Sequence, residues 1–182
     1  SQFFKILIAS ALALTTLLSV KHVDNESVRP GEYHALLLLA STGMMLAVSS
    51  LDLMTLYLGL ELTTLCSYVL VGITVDKPES NEAAIKYFLL GSFASALFLY
   101  GIALIYGATG TTDFQSIADF LSKSELGTDP LFMVGAGLLA AGLAFKIAAV
   151  PFHAWAPDAY EGAYAPVAAF LAPASKAAGL AA

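Results

Sequence analysis

The sequence has 182 residues, of which 58% are hydrophobic and 12% charged, where an average soluble domain carries about 25% charged residues. With a mean hydropathy of +0.78 and 14 glycines spread through apolar runs, this composition excludes an ordinary soluble globule and indicates a polytopic α-helical membrane protein. Eight Lys/Arg against 14 Asp/Glu, a formal net charge of −6, leave no basic footprint for nucleic acid, and a single cysteine, Cys66, excludes an intrachain disulfide framework and a multi-cysteine metal cage.

A helix needs about 20 mainly apolar residues to cross about 30 Å of hydrocarbon. Six segments meet or approach that requirement. The first covers about residues 3–20. Its Lys5 and the apolar run after it have the look of a signal peptide, but no small-x-small cleavage pattern precedes the polar stretch, so a retained helix is expected. Residues 21–32, with their charges and Pro30-Gly31, read as a loop. The second span covers about residues 34–50, and a tight turn leads into the third, about residues 53–75, with Asp52 as its N-cap. Residues 76–82 read as a loop before the fourth span, about residues 83–108.

Between the fourth and fifth spans, Phe114, Ile117, Phe120 and Leu121 share one helical face, and Thr112 with Gln115 has capping-box spacing. An amphipathic surface helix over about residues 113–126 is expected there. The fifth span, about residues 131–155, is broken near Pro151, and the sixth covers about residues 165–182. Because the sequence opens on Ser1 and the sixth segment stops without a polar cap, further helices are expected on both sides. Lys21, Arg29 and Lys77 fall in loops on one side, with Lys86 just inside the fourth span, against Lys123 alone on the other. The positive-inside rule places the first set in the cytoplasm or its equivalent.

Most ionisable residues lie in loops, but Glu61, Lys146 and Lys176 do not. Glu61 is eight residues into the third span, ~12 Å by helical rise, and Lys176 is nine residues past Val167, ~14 Å in. Lys146, fifteen residues past Leu131 and nine before Trp155, is also deep if the helix continues through the Pro151 break. An unpaired charge at the bilayer centre costs from about 2.5 to over 10 kcal/mol, so such groups mark ion or proton pathways, the alternative being a buried structural ion pair. Desolvation disfavours the charged form of either partner and pairing opposes it, so a lysine whose carboxylate moves away forms a switch for proton release.

Pro151 lacks an N–H and clashes with the carbonyl of Ile147, which breaks the helix one residue after Lys146. Broken helices beside mid-membrane charges recur in ion-translocating folds, although an ordinary packing kink has the same sequence signature. His153 lies seven residues after Lys146, two turns along if the helix resumes, which suits proton relay or an interfacial position beside Trp155. Glu82 and Lys86 have i, i+4 spacing, that of a helix-end pair with a snorkelling lysine. Cys66, His22 and His34 read as structural or solvated.

Gly59-Leu60-Glu61-Leu62, the run from Ser80 to Phe88, Phe145-Lys146 and the run from Pro151 to Gly162 resemble the antiporter-like membrane subunits of NADH:quinone oxidoreductase, respiratory complex I. Within that group, Pro157-Asp158-Ala159-Tyr160-Glu161-Gly162, the run from Pro166 to Leu171 and Ser175-Lys176-Ala177-Ala178 are most similar to subunit N. The resemblance implies an all-α, antiporter-like fold of roughly 14 helices, of which this sequence supplies the third to the eighth, including the first of two inverted repeats. It implies that Glu61 is the paired glutamate of helix five, Lys146 the lysine of broken helix seven and Lys176 the lysine of helix eight, passing protons toward a later ionisable residue outside this sequence. Glu82, Lys86 and His153 match further ionisable family positions. Ala172-Pro173-Ala174-Ser175 departs from the family pattern, and Pro173 is expected to bend helix eight.

The resemblance further implies no metal and no cofactor on this chain, with NADH, FMN, iron-sulfur clusters and quinone on other subunits. It implies the other membrane-arm subunits and the lipid bilayer as partners, in a bacterial inner membrane or an organellar energy-transducing membrane. The expected role is proton translocation driven by quinone reduction elsewhere in the complex. The alternatives are a multisubunit cation/proton antiporter subunit, the equivalent subunit of a photosynthetic ferredoxin-dependent quinone oxidoreductase, and a scaffold without conduction.

Overall fold

The computed structural model describes residues 2–20, 28–123 and 129–181. Among them the chain is helical, with one isolated β-bridge between Asp52 and Asp113. The helices are α1 (Gln2–Ser19), α2 (Pro30–Ser49), α3 (Leu53–Val71), α4 (Pro78–Thr109), α5 (Phe114–Lys123), α6 (Pro130–Lys146), α7 (Trp155–Gly162) and α8 (Ala165–Ala181). α1 to α4 are long and apolar enough to cross a membrane, and α6 and α8 are shorter apolar helices. Lys21, His22 and the end of the expected surface helix beyond Lys123 lie outside the described residues.

The structure corrects several sequence boundaries, and three of the helix starts share one physical reason. Pro30, Pro78 and Pro130 are first-turn residues of α2, α4 and α6 and not loop residues. At that position the missing N–H has no intrahelical role and the fixed φ suits the helix, so proline starts these helices. α3 ends at Val71, before Gly72 and short of residue 75. Asp52 caps α3, accepting from the Thr55 amide at 2.8 Å. For α5 the cap is Asp113 and not Thr112: its carboxylate accepts from the Ser116 amide at 2.8 Å and hydroxyl at 2.7 Å, which holds it below the usual carboxylate range. Gln115 instead bonds Asp119. α8 runs through Pro173 without interruption, the proline facing the groove shared with α1.

The most extensive packing joins α4 to α6 and α2 to α3. Gly43 and Gly59 let α2 and α3 touch backbone to backbone: a Cβ on Gly43 would stand 2.7 Å from the Gly59 carbonyl oxygen. Such small-residue seams suit helices that associate in lipid, where hydrophobic burial supplies no driving force. Leu53 donates its amide to the Thr112 carbonyl at 2.9 Å and Phe114 to Leu51 at 3.1 Å. These bonds bring the α2–α3 turn and the start of α5 to the same end of the bundle.

Candidate functional site

α6 ends at Lys146, and its backbone shows why. Ala149 N donates to Ala144 O at 2.8 Å and Ala148 N to Phe145 O at 3.0 Å. This is the bond pattern of a Schellman closure, with Ala148 at the left-handed position, φ 56°. Pro151 follows, so the chain turns and does not resume a helix until Trp155. Lys146 is thus held at the last helical position, aimed between α3 and α4.

There it meets groups from both helices. Lys146 Nζ donates to Thr64 Oγ1 at 2.5 Å, stands 3.4 Å from Ser95 Oγ and lies 4.0 Å from Glu61 Oε2. Ser95 in turn donates to Glu61 Oε2 at 2.7 Å, and Thr64 donates to the Leu60 carbonyl at 2.6 Å. Each hydroxyl has one proton to give and accepts from the ammonium, so the acid, the base and two hydroxyls form one consistent set of bonds. The Lys146 side chain is 9% exposed and that of Glu61 21%. Charges so enclosed require partners, and this network supplies them.

Lys176 stands apart from this network. It bonds the Tyr160 hydroxyl and lies 5.8 Å from the centroid of the Trp155 ring. α8 nevertheless passes close to the end of α6: a Cβ on Gly179 would stand 3.8 Å from Lys146 Cβ. Trp155 is fully buried, stacked on Tyr87 at 4.4 Å and donates its indole N–H to Phe145 O at 3.0 Å.

A second charged group lies nearer the start of α4. Lys86 pairs with Glu82 at 2.7 Å, as the spacing predicts, and also reaches Asp158 on α7 at 3.2 Å. With Glu79 and Glu161 these residues line an open polar cleft. His153 does not lie two turns along a resumed helix, since residues 147–154 form turns, and it is exposed. Sequence reasoning missed Ser95, Thr64, Tyr160 and Trp155 as contacts of the charges. The available signal was Thr64 three residues after Glu61 on the same helical face. Among the described residues no cluster of three His, Cys, Asp or Glu side chains could hold a metal ion.

A family model described as NADH:quinone oxidoreductase/Mrp antiporter, transmembrane, matches residues 50–182. NADH-quinone oxidoreductase subunit N 1 of Chloroherpeton thalassium is 54% identical, over 92% of this chain and 35% of that protein. Subunit N 2 of Rhizobium meliloti is 48% identical, over 98% of this chain and 37% of that protein. The chain therefore spans little more than a third of the length of these relatives. Respiratory complex I from Thermus thermophilus with bound aureothin contains a chain of the same fold, TM-score 0.82 and 40% identity, over 99% of this chain and 38% of that one. The Mrp complex from Dietzia sp. matches at TM-score 0.73 and 29% identity, over 92% of this chain and 31% of that one.

Proposed function

The chain belongs to the NADH:quinone oxidoreductase/Mrp antiporter transmembrane family, and from that premise we propose that it is part of a subunit N that translocates protons in a bacterial inner membrane. The subunit carries no redox step of its own. Quinone reduction in other subunits of the complex drives it, and NADH, flavin and iron-sulfur chemistry belong to those subunits. The observation that carries this reading is the bonded set Glu61, Ser95 and Lys146, an acid and a base joined across three helices in an apolar bundle.

Glu61 and Lys146 stabilise each other's charges while they face one another. Movement of Glu61 away from the α6 end removes the counter-charge from an enclosed ammonium, and the proton then passes toward Lys176 on α8. Glu82, Lys86 and Asp158 form the outer charged group through which the α7 segment is tied to α4, and His153 sits exposed at the turn before it, a secondary proton-exchange position.

The test is NADH-driven acidification in proteoliposomes containing the full-length subunit in its complex, with quinone reduction measured in parallel. Lys146→Met is expected to abolish proton transport through this subunit and to slow electron transfer. Unchanged proton yield and rate would overturn the reading in favour of a scaffold. The likeness to the Mrp complex supports one second reading, a cation/proton antiporter subunit. Transport that depends on Na⁺ and not on NADH would establish it.

A further inference from the structure

We propose that Tyr160 is the positioning residue for Lys176, fixing its ammonium against α7. This inference rests on the reading of Lys176 as a proton carrier. The motif that holds Tyr160, Pro157 to Gly162, has no part in the Glu61–Lys146 network, yet its helix is gripped on two sides. Asp158 and Tyr160 are two positions apart, about 200° around a helix of 3.6 residues per turn. Asp158 accordingly bonds Lys86 on α4 at 3.2 Å, while Tyr160 turns toward α8 and accepts the bond from Lys176.

Trp155 fixes the other wall. Its ring stands 6.0 Å from that of Tyr160, stacks on Tyr87 and is tied through its indole N–H to the Phe145 carbonyl, one residue before Lys146. The ammonium of Lys176 lies 4.6 Å from the Tyr160 ring centroid and 5.8 Å from that of Trp155. Of the charged groups on helices packed against α8, Glu61 and Lys146 are engaged with each other through Ser95, so the phenol is the polar partner of Lys176 among the described contacts. A phenol that accepts from an ammonium keeps its own O–H proton free to donate onward. Tyr160 therefore sets where the lysine sits and leaves a donor at the same point.

The experiment uses the full-length subunit in its assembled complex, reconstituted in proteoliposomes, with Tyr160→Phe, Lys176→Met and the double variant. Phenylalanine keeps the ring and removes only the hydroxyl. We expect Tyr160→Phe to reduce NADH-driven proton transport about 3- to 10-fold and to displace its pH profile by about one unit, the scale of one charge-assisted hydrogen bond. In the double variant it should add nothing to the loss caused by Lys176→Met. Wild-type rate and pH profile in Tyr160→Phe, with loss in Lys176→Met, would overturn the proposal. So would a slower Tyr160→Phe enzyme with an unmoved profile and a fully additive double variant, which marks a structural role. Wild-type transport in Lys176→Met would overturn the reading of Lys176 itself, and the role of Tyr160 with it.

Discussion

Ser95 donates its hydroxyl proton to Glu61 Oε2 at 2.7 Å. Ser95 Oγ in turn stands 3.4 Å from Lys146 Nζ, inside the 4.0 Å that separates the ammonium from Glu61 Oε2. The acid and base communicate through a hydroxyl as much as through space, so the pair can lengthen or shorten while a hydrogen-bonded connection persists. A directly bonded pair at this depth would have to be broken outright, at a cost of about 3–5 kcal/mol for an uncompensated buried charge.

Ser95→Ala removes that connection without changing a charge. A hydrogen bond to a charged group contributes about 1.5–3 kcal/mol, so NADH-driven proton transport by the assembled complex should fall by about tenfold or more. Ser95→Thr keeps the hydroxyl and should retain most activity. Equal transport in Ser95→Ala and wild type would show that Glu61 and Lys146 act without the bridge.

Asp52 gives a prediction that concerns stability alone. Its side chain accepts from both the amide and the hydroxyl of Thr55, at 2.8 and 2.6 Å, and these bonds hold the carboxyl below the usual range. A depressed folded-state value contributes stability that is present above the unfolded value, near pH 4, and is lost only as pH falls through the folded one. Asp52→Ala should therefore lower the thermal stability of the full-length subunit in detergent by about 1 kcal/mol, by the same amount across about pH 6 to 8. Asp52→Asn should recover most of it. A difference that grows toward pH 8 would place the effect elsewhere.

Glu61, Lys146 and the end of α6 are legible in the sequence because a charge in an apolar run is expensive and a proline after it removes a backbone donor. Ser95 is not, and Thr64 is marked only by its spacing of three residues from Glu61. Hydroxyls in apolar helices commonly bond the carbonyl one turn back, as Ser41 does to Leu37 and Ser67 to Thr63, so their composition carries no mark of a partner. Pro30 and Pro78 mislead because proline both punctuates loops and begins helices. His153 is misplaced by counting along a helix that the closure at Ala148 ends. Lys176 is visible as a charge, but its contact with Tyr160 depends on how α7 is aimed after the break.

The α2–α3 seam should be intolerant of a single methyl group. A Cβ on Gly43 would stand 2.7 Å from both the Gly59 carbonyl oxygen and Thr63 Oγ1, and one on Gly59 would stand 2.6 Å from the Ala47 amide nitrogen. Backbone cannot yield as a side-chain tip does, so the helices must separate, at about 1–3 kcal/mol. Because α3 carries Glu61 and Thr64, separation also carries them away from the α6 end. Gly43→Ala should lower the amount of assembled complex in the membrane and reduce transport per assembled complex. Normal assembly and transport would show that the seam has slack that the backbone contacts do not reveal.

Ala148 holds the left-handed position of the α6 closure at φ 56°, where the Cβ of an L-residue crowds the following carbonyl. That conformation costs a non-glycine residue about 1–2 kcal/mol, while a glycine there costs about 0.5–1 kcal/mol more to order from the unfolded chain. The two terms leave Ala148→Gly more stable by about 0.5–1 kcal/mol, and the bonds from the 148 and 149 amides are unaffected because they involve backbone alone. Ala148→Val should act in the opposite direction, since a branched Cβ is less tolerated at positive φ. The measurement is thermal unfolding of the full-length subunit in detergent for the three side chains. The order Gly, Ala, Val from most to least stable is expected, with Lys146 held in place and transport retained in Ala148→Gly. A glycine variant that is more stable yet transports poorly would mean that the strain at Ala148 itself contributes to how Lys146 moves against Glu61.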